Sequence, residues 1–141
     1  MKKFIPLSLL CLIFLFTSCS EEDSPEEKNE EIAKELIIGE WLWIKGVYEG
    51  GEMDFTDCSN PLSFNFYNDG TVVRQNCNYG EYEGEYLVTG NLLELEHNAN
   101  DGTTRRMRAT IEKITSEEMI LDVEGGYLND SPFTFYLEKA N

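Results

Sequence analysis

The chain has 141 residues, a formal net charge of −16 and one histidine, His97. So acidic a surface argues against contact with nucleic acid or with an anionic membrane surface. Phosphate-binding loops, metal-spaced sets of His and Cys, and nucleophile motifs are all absent from the sequence. Composition and motifs therefore favour a non-enzymatic protein that needs neither a metal ion nor a cofactor.

Residues 1–18 are typical of a secretory signal. Lys2 and Lys3 precede an apolar run, residues 4–16, which is shorter than the about 20 residues that a membrane-spanning helix needs. Small residues then lead to Cys19, and F-T-S-C resembles the lipobox of bacterial lipoproteins. The resemblance implies cleavage before Cys19 and a lipid anchor on it, hence an outer-membrane lipoprotein facing the periplasm or the cell surface. An ordinary cleaved signal is the alternative.

Residues 19–31 form a predicted acidic, disordered tether, because they contain no apolar run that could offset the entropy of ordering them. The acids directly after Cys19 resemble the surface-export signals of Bacteroidota-type lipoproteins, and a plain solvated spacer explains them equally well. The folded domain is expected at residues 32–141. Its first element is a short helix, since Ile32, Leu36 and Ile37 recur at helical spacing before Gly39.

The first predicted strand, residues 38–48, carries the two tryptophans of the chain. Trp41 and Trp43 stand two residues apart, so both rings point to the same face of a strand. Each buries roughly 150–250 Å² when packed, which is enough to organise a core. Gly39 allows a close approach where the strand begins. We therefore expect Gly39, Trp41 and Trp43 to be structural core positions.

Short segments of alternating apolar and polar residues follow, joined by turns rich in Gly, Asn and Asp. The Asp69-Gly70 pair is a strong hairpin signal. Consecutive short connections favour pairing in order, and closure removes the exposed edges. The prediction is an all-β fold, an eight-stranded antiparallel up-and-down β-barrel with a short N-terminal helix. Its strands are residues 38–48, 62–67, 71–77, 81–88, 92–97, 103–114, 119–124 and 133–138.

Several ordered motifs resemble one family. They are G-x-W at residues 39–41, F-x-F followed by N-D-G-T at residues 64–71, and G-x-Y followed by G-N-x-L-x-L at residues 84–95. Together they resemble the lipocalin-like domain of Bacteroidota-type lipoproteins. The resemblance implies a lipocalin-like barrel and, loosely, a small apolar or amphipathic ligand. Lipocalins stack a basic residue from the last strand over the tryptophan, and Lys139 stands at about that position.

Cys58 and Cys77 are expected to form a disulfide, because an exported chain meets an oxidising compartment. Pairing around the turn at Asp69 brings residue 61 opposite residue 77, so that Cys58 needs only a short bend to reach Cys77.

The hairpin predicted to turn at Asn100 carries the candidate ligand-binding residues. We expect Glu94 to lie opposite Arg106 on the outer face, which pairs Leu93 with Met107, Leu95 with Arg105 and His97 with Thr103. The inner face then changes from apolar to polar toward the turn, as in a small-ligand site. The candidates are Leu93, Leu95, His97, Arg105 and Met107, with Arg105 at the open rim because burial of a lone charge is costly.

A barrel filled by its own side chains is the alternative interpretation. The protein would then be an interaction or inhibitor-like module of the cell envelope. It would act through its loops, its acidic outer face or an exposed aromatic patch around Tyr67, Asn78 and Tyr79.

Overall fold

The structure is a computed structural model that describes residues 25–57, 59–77, 80–99, 101–124 and 132–141. Within these ranges the chain forms one helix and nine strands. They are α1 (Pro25–Ile37), β1 (Gly39–Tyr48), β2 (Gly51–Asp54), β3 (Ser63–Phe66), β4 (Thr71–Asn76), β5 (Gly80–Thr89), β6 (Leu92–Asn98), β7 (Thr104–Ile114), β8 (Glu118–Val123) and β9 (Phe133–Lys139).

The strands form a single antiparallel sheet that closes on itself, because β1 pairs with β9 as well as with its neighbours β2 and β3. β3 pairs with the first part of β1, from Gly39 to Leu42, and β2 pairs with the last part, from Lys45 to Tyr48. β2 and β3 thus share one position around the barrel. The predicted eight-stranded lipocalin-like barrel with a short helix is confirmed, and β2 is an additional short strand.

The helix begins at Pro25, earlier than the sequence pattern predicts. Proline suits the first position of a helix because its fixed φ is already helical and its missing N–H would have no partner there. The helix therefore includes residues 25–31, which were expected to belong to the tether, and the domain boundary at residue 32 stays a prediction. Ala33 and Ile37 are buried against the barrel, and no helix in the described ranges is long and apolar enough to cross a membrane.

Trp41 closes the end of the barrel next to α1. Its indole Nε1 donates a hydrogen bond to the carbonyl oxygen of Ile37, at 2.7 Å. The Lys139 ammonium lies 4.3 Å from the centroid of the Trp41 ring and donates to the carbonyl oxygens of Leu36 and Ile38. Burial lowers the pKa of Lys139. The stacking of Lys139 over Trp41 that the resemblance implies is thus present, and it joins the last strand to the end of the helix.

Trp43 forms an aromatic layer across the middle of the barrel. Its ring centroid lies 5.5 Å from that of Phe55, 5.0 Å from that of Phe64 and 4.3 Å from that of Phe135. Both Trp41 and Trp43 are buried members of one hydrophobic core, so their predicted core roles are confirmed.

The two hairpins that position the site differ in how well their register follows from sequence. In β3–β4 the pairing around Asp69 is as predicted, with Phe64 opposite Arg74. In β6–β7 the predicted register is wrong, because Glu94 lies opposite Arg108 and His97 lies opposite Arg105.

Side-chain chemistry in the β6–β7 turn explains the shift. The Asp101 carboxylate accepts hydrogen bonds from the backbone N–H and the hydroxyl of Thr103, and Gly102 has a φ of +78°. The turn is therefore centred on Asp101 and not on Asn100. Because the register moves by an even number of residues, each side chain keeps its predicted face.

Cys77 follows β4 and is disulfide-bonded. Cys58 lies outside the described residues, so its identity as the partner remains a prediction. Cys19, the signal and the first residues of the tether also lie outside the described residues.

Candidate ligand site at the barrel mouth

A cavity of about 420 Å³ opens at the end of the barrel opposite α1. Because successive strands alternate in direction, the connections from β4 to β5 and from β6 to β7 both lie at this end. We call this space the mouth cavity. Its described lining residues are Arg74, Asn76, Tyr82, His97, Ala99, Asp101 and Arg105.

Arg74 lies at the inner end of the mouth cavity. It stands opposite Phe64 on β3 and Tyr82 on β5, and its residue surface is only 8% exposed. The centre of its guanidinium, Cζ, is 5.6 Å from the centroid of the Trp43 ring. A cation over the face of an indole is stabilised by the ring quadrupole, which helps to hold a buried positive charge at this depth.

His97 forms one wall of the cavity and is 3% exposed. Its ring centroid lies 5.8 Å from that of Tyr82, and its strand partner is Gly84. A Cβ atom on residue 84 would lie 2.2 Å from the Glu96 carbonyl oxygen, so only glycine lets β5 approach β6 this closely.

The imidazole of His97 is neutral at pH 7. Burial lowers its pKa to about 4, and the positive charges of Arg74 and Arg105 contribute to the shift. A neutral imidazole has one donor and one acceptor nitrogen, so this wall can make a hydrogen bond without adding charge.

Arg105 marks the outer rim of the cavity, directly opposite His97. Its Nη2 atom lies 3.7 Å from Oδ2 of Asp101, and its side chain is 53% exposed. The hydrogen bonds from Thr103, and to a smaller degree the charge of Arg105, hold the pKa of Asp101 below its ordinary value. So exposed a pair contributes little to stability, and Arg105 can turn toward a ligand at small cost.

The structure brings two of the five candidate ligand residues together. His97 and Arg105 face each other across the β6–β7 ladder and line the mouth cavity. Leu93, Leu95 and Met107 also point inward, but they pack in the hydrophobic core and do not line this cavity. An apolar ligand cavity was expected at these three positions, but core side chains fill the space there.

Arg74 is the residue that sequence reasoning missed. Val72 and Val73 are both apolar, so alternation alone does not say which face of β4 is inward. The signal lay in the predicted register around Asp69, which places residue 74 opposite the inward-facing Phe64.

A second, more open groove of about 510 Å³ lies on the outer face of β5, β6 and β7. The charged side chains that line the groove form ion pairs. Nε of Arg106 lies 2.6 Å from Oε2 of Glu96, and Nε of Arg108 lies 3.7 Å from Oε1 of Glu94. The mouth cavity is less open to solvent and contains the buried Arg74, which makes it the better candidate for a charged ligand.

The expected aromatic patch lies only partly within the described residues. Tyr67, from the expected aromatic patch, is exposed, whereas Asn78 and Tyr79 lie outside the described residues. Within the described part of the chain, no group of three or more His, Cys, Asp or Glu residues could hold a metal ion.

Comparison with known proteins supports this description of the fold. The family model of the lipocalin-like domain matches residues 37–121. The crystal structure of an LTBP1 LTC4 complex superposes with a TM-score of 0.56 at 13% identity, covering 76% of this chain and 68% of that one. At this identity the likeness concerns the fold alone. No curated protein matches the chain significantly.

Proposed function

Because the chain belongs to the family of lipocalin-like domains, we propose that it is a non-enzymatic lipoprotein of the cell envelope that binds a small amphipathic ligand in the mouth cavity. The observation that carries the proposal is the cavity itself, which is of ligand size and whose described lining combines the rings of Tyr82 and His97 with charged and polar side chains. The structural neighbour LTBP1 was crystallised with LTC4, which fits a binding role for this kind of barrel.

The cellular location of the protein is part of the proposal. The lipobox-like residues before Cys19 and the acidic segment after it support a lipid anchor in the outer membrane, on either the periplasmic or the outer surface. In the mature protein the anchor would hold the barrel near the membrane. The acidic domain surface itself would have no attraction to anionic lipids.

Two fluorescent probes, neutral phenylnaphthylamine and anionic anilinonaphthalene sulfonate, test the proposed function. We expect at least one of them to bind the purified domain saturably with one site per chain. Ala99→Trp should abolish binding, because a large ring on this cavity-lining residue fills the mouth. Leu87→Trp is the matched control, since Leu87 lies in the outer groove and is 56% exposed.

An interaction module is the second candidate function, and the exposed Leu87 in the outer groove favours it. If neither probe binds, the ligand-binding proposal fails and this candidate remains. If a probe binds but Leu87→Trp blocks it while Ala99→Trp does not, the ligand site is on the outer wall.

A further inference from the structure

We infer that the mouth cavity takes its ligand head first, with a carboxylate, sulfate or phosphate group against Arg74 and the rest of a compact molecule toward the rim. The inference rests on the proposed function and names the class of ligand: small organic anions, in preference to long-chain lipids. Three features of the cavity lead to it, namely the depth of its cations, its closed floor and its local charge.

The two arginines lie at different depths. Arg74 is almost fully buried beside Trp43, whereas half of the Arg105 side chain is exposed at the rim. A ligand anion that enters the cavity passes Arg105 first and ends at Arg74. Guanidinium groups bind carboxylates and phosphates through paired, charge-assisted hydrogen bonds, which are strongest where water is excluded. Arg74, the deeper arginine, should therefore bind the anionic group more strongly than Arg105.

The floor of the cavity leaves no place for an apolar tail. Below Arg74 the barrel is occupied by Trp43 and by the rings packed around it, those of Phe55, Phe64 and Phe135. Leu95 and Met107, which a tail would have to displace, are buried in the same core. Among the described lining residues Ala99 is the one aliphatic side chain. A long alkyl chain would thus remain largely in solvent.

The local charge of the mouth cavity is opposite to that of the whole protein. Its described lining residues include two arginines and one acid, Asp101, whose carboxylate accepts a hydrogen bond of 2.9 Å from the Thr103 backbone N–H. Burial is the main cause of the lowered pKa of His97, and the nearby charges of Arg74 and Arg105 lower it further. Elsewhere the net charge of −16 disfavours anions, so binding of an anion points to this site.

Phenylnaphthylamine and anilinonaphthalene sulfonate form a matched pair, since they share an aromatic body and differ by one sulfonate group. We expect the wild-type protein to bind the sulfonate more tightly by about tenfold to a hundredfold, the value of a hydrogen bond to a charged group. Equal affinities, or tighter binding of the neutral probe, would overturn the inference and leave the proposed ligand site intact.

Substitution of Arg74 identifies the group responsible. Arg74→Gln should bring the ratio of sulfonate affinity to neutral-probe affinity close to one, and Arg74→Lys should keep part of the preference. Arg106→Gln is the control, because Arg106 is an exposed arginine of the outer face. A sulfonate preference that persists in Arg74→Gln would contradict the assignment. If Arg74→Gln does not fold, the inference is tested by the sulfonate preference of Arg74→Lys compared with that of the wild-type protein.

Chain length gives an independent readout. Full burial of a methylene group raises affinity by about fourfold. In a series of straight-chain carboxylates that compete with the sulfonate probe, we expect affinity to rise by much less than this per added methylene. A steady rise of about fourfold over many methylenes would show that the tail enters the barrel, and would refute head-first binding.

Discussion

Arg74 lies directly opposite Phe64 in the β3–β4 ladder, and this pairing turns its guanidinium into the barrel above Trp43. The interior is thereby divided into two parts. Toward α1, aromatic and aliphatic side chains fill the barrel, and toward the mouth charged and polar groups line an open cavity. The division explains how a barrel with a well-filled core can still offer a ligand site.

The two tryptophans should differ in what their indole N–H contributes to stability. Nε1 of Trp41 donates to Ile37, whereas Nε1 of Trp43 is buried and has no hydrogen-bond partner among the described residues. Trp41→Phe should therefore lower the free energy of unfolding by about 1–2 kcal/mol more than Trp43→Phe, since only the first leaves a carbonyl without its donor.

Denaturant unfolding of both variants measures this difference. Trp41→Ala, which also empties a large volume, should cost about 3–5 kcal/mol. Equal losses in the two phenylalanine variants would mean that the Trp41–Ile37 hydrogen bond does not hold the helix on the barrel.

Strands and faces could be predicted from this sequence because alternation is a strong signal. Phe64 and Phe66 in β3, and Met119 and Leu121 in β8, point inward as their spacing indicates. The signal is weak where both neighbours are apolar, as at Val72 and Val73, and so the inward direction of Arg74 was not found.

The register of paired strands and the ends of helices depend on local interactions that the alternation of apolar residues does not show. The β6–β7 register follows from the hydrogen bonds between Asp101 and Thr103, which alternation does not contain. The start of α1 at Pro25 lies in a charged segment without apolar periodicity. The site itself, where Arg74, His97 and Arg105 converge, needs three strands in correct register at once.

The disulfide should join Cys58 to Cys77. Closing a loop of this size stabilises the fold by about 3 kcal/mol in the chain-entropy model, so Cys77→Ser should lower the free energy of unfolding by about that amount. Alkylation and mass measurement of the mature, non-reduced protein should find no free thiol at either position. Two free thiols would refute the pairing.

The lipid anchor should depend on Cys19. In the native host, Cys19→Ser should move the protein from the membrane fraction to the soluble fraction, because the acylated thiol is lost. Ser20→Ala, which leaves the cysteine in place, is the control. A Cys19→Ser protein that still sediments with membranes would disprove the lipoprotein proposal.

Acid should destabilise the fold through His97. The folded pKa is about 4 and the ordinary value is 6.5, so between these values the unfolded chain binds more protons. The stabilising contribution of neutral His97 is complete above pH 6.5 and is lost as the pH falls toward 4.

His97→Gln removes this dependence while the carboxylates titrate in both proteins. The wild-type melting temperature should therefore fall more steeply than that of His97→Gln over this interval. Parallel curves would show that His97 is protonated in the folded state as readily as in the unfolded chain.

The most direct test of ligand binding in the mouth cavity is an NMR titration of the imidazole of His97, the one histidine of the chain. In the free protein its resonance should titrate with a pKa near 4. Saturation with anilinonaphthalene sulfonate should move the resonance and raise this pKa, because an anion beside the ring favours its charged form. A resonance that stays in place while the probe is bound would put the ligand elsewhere and contradict the account.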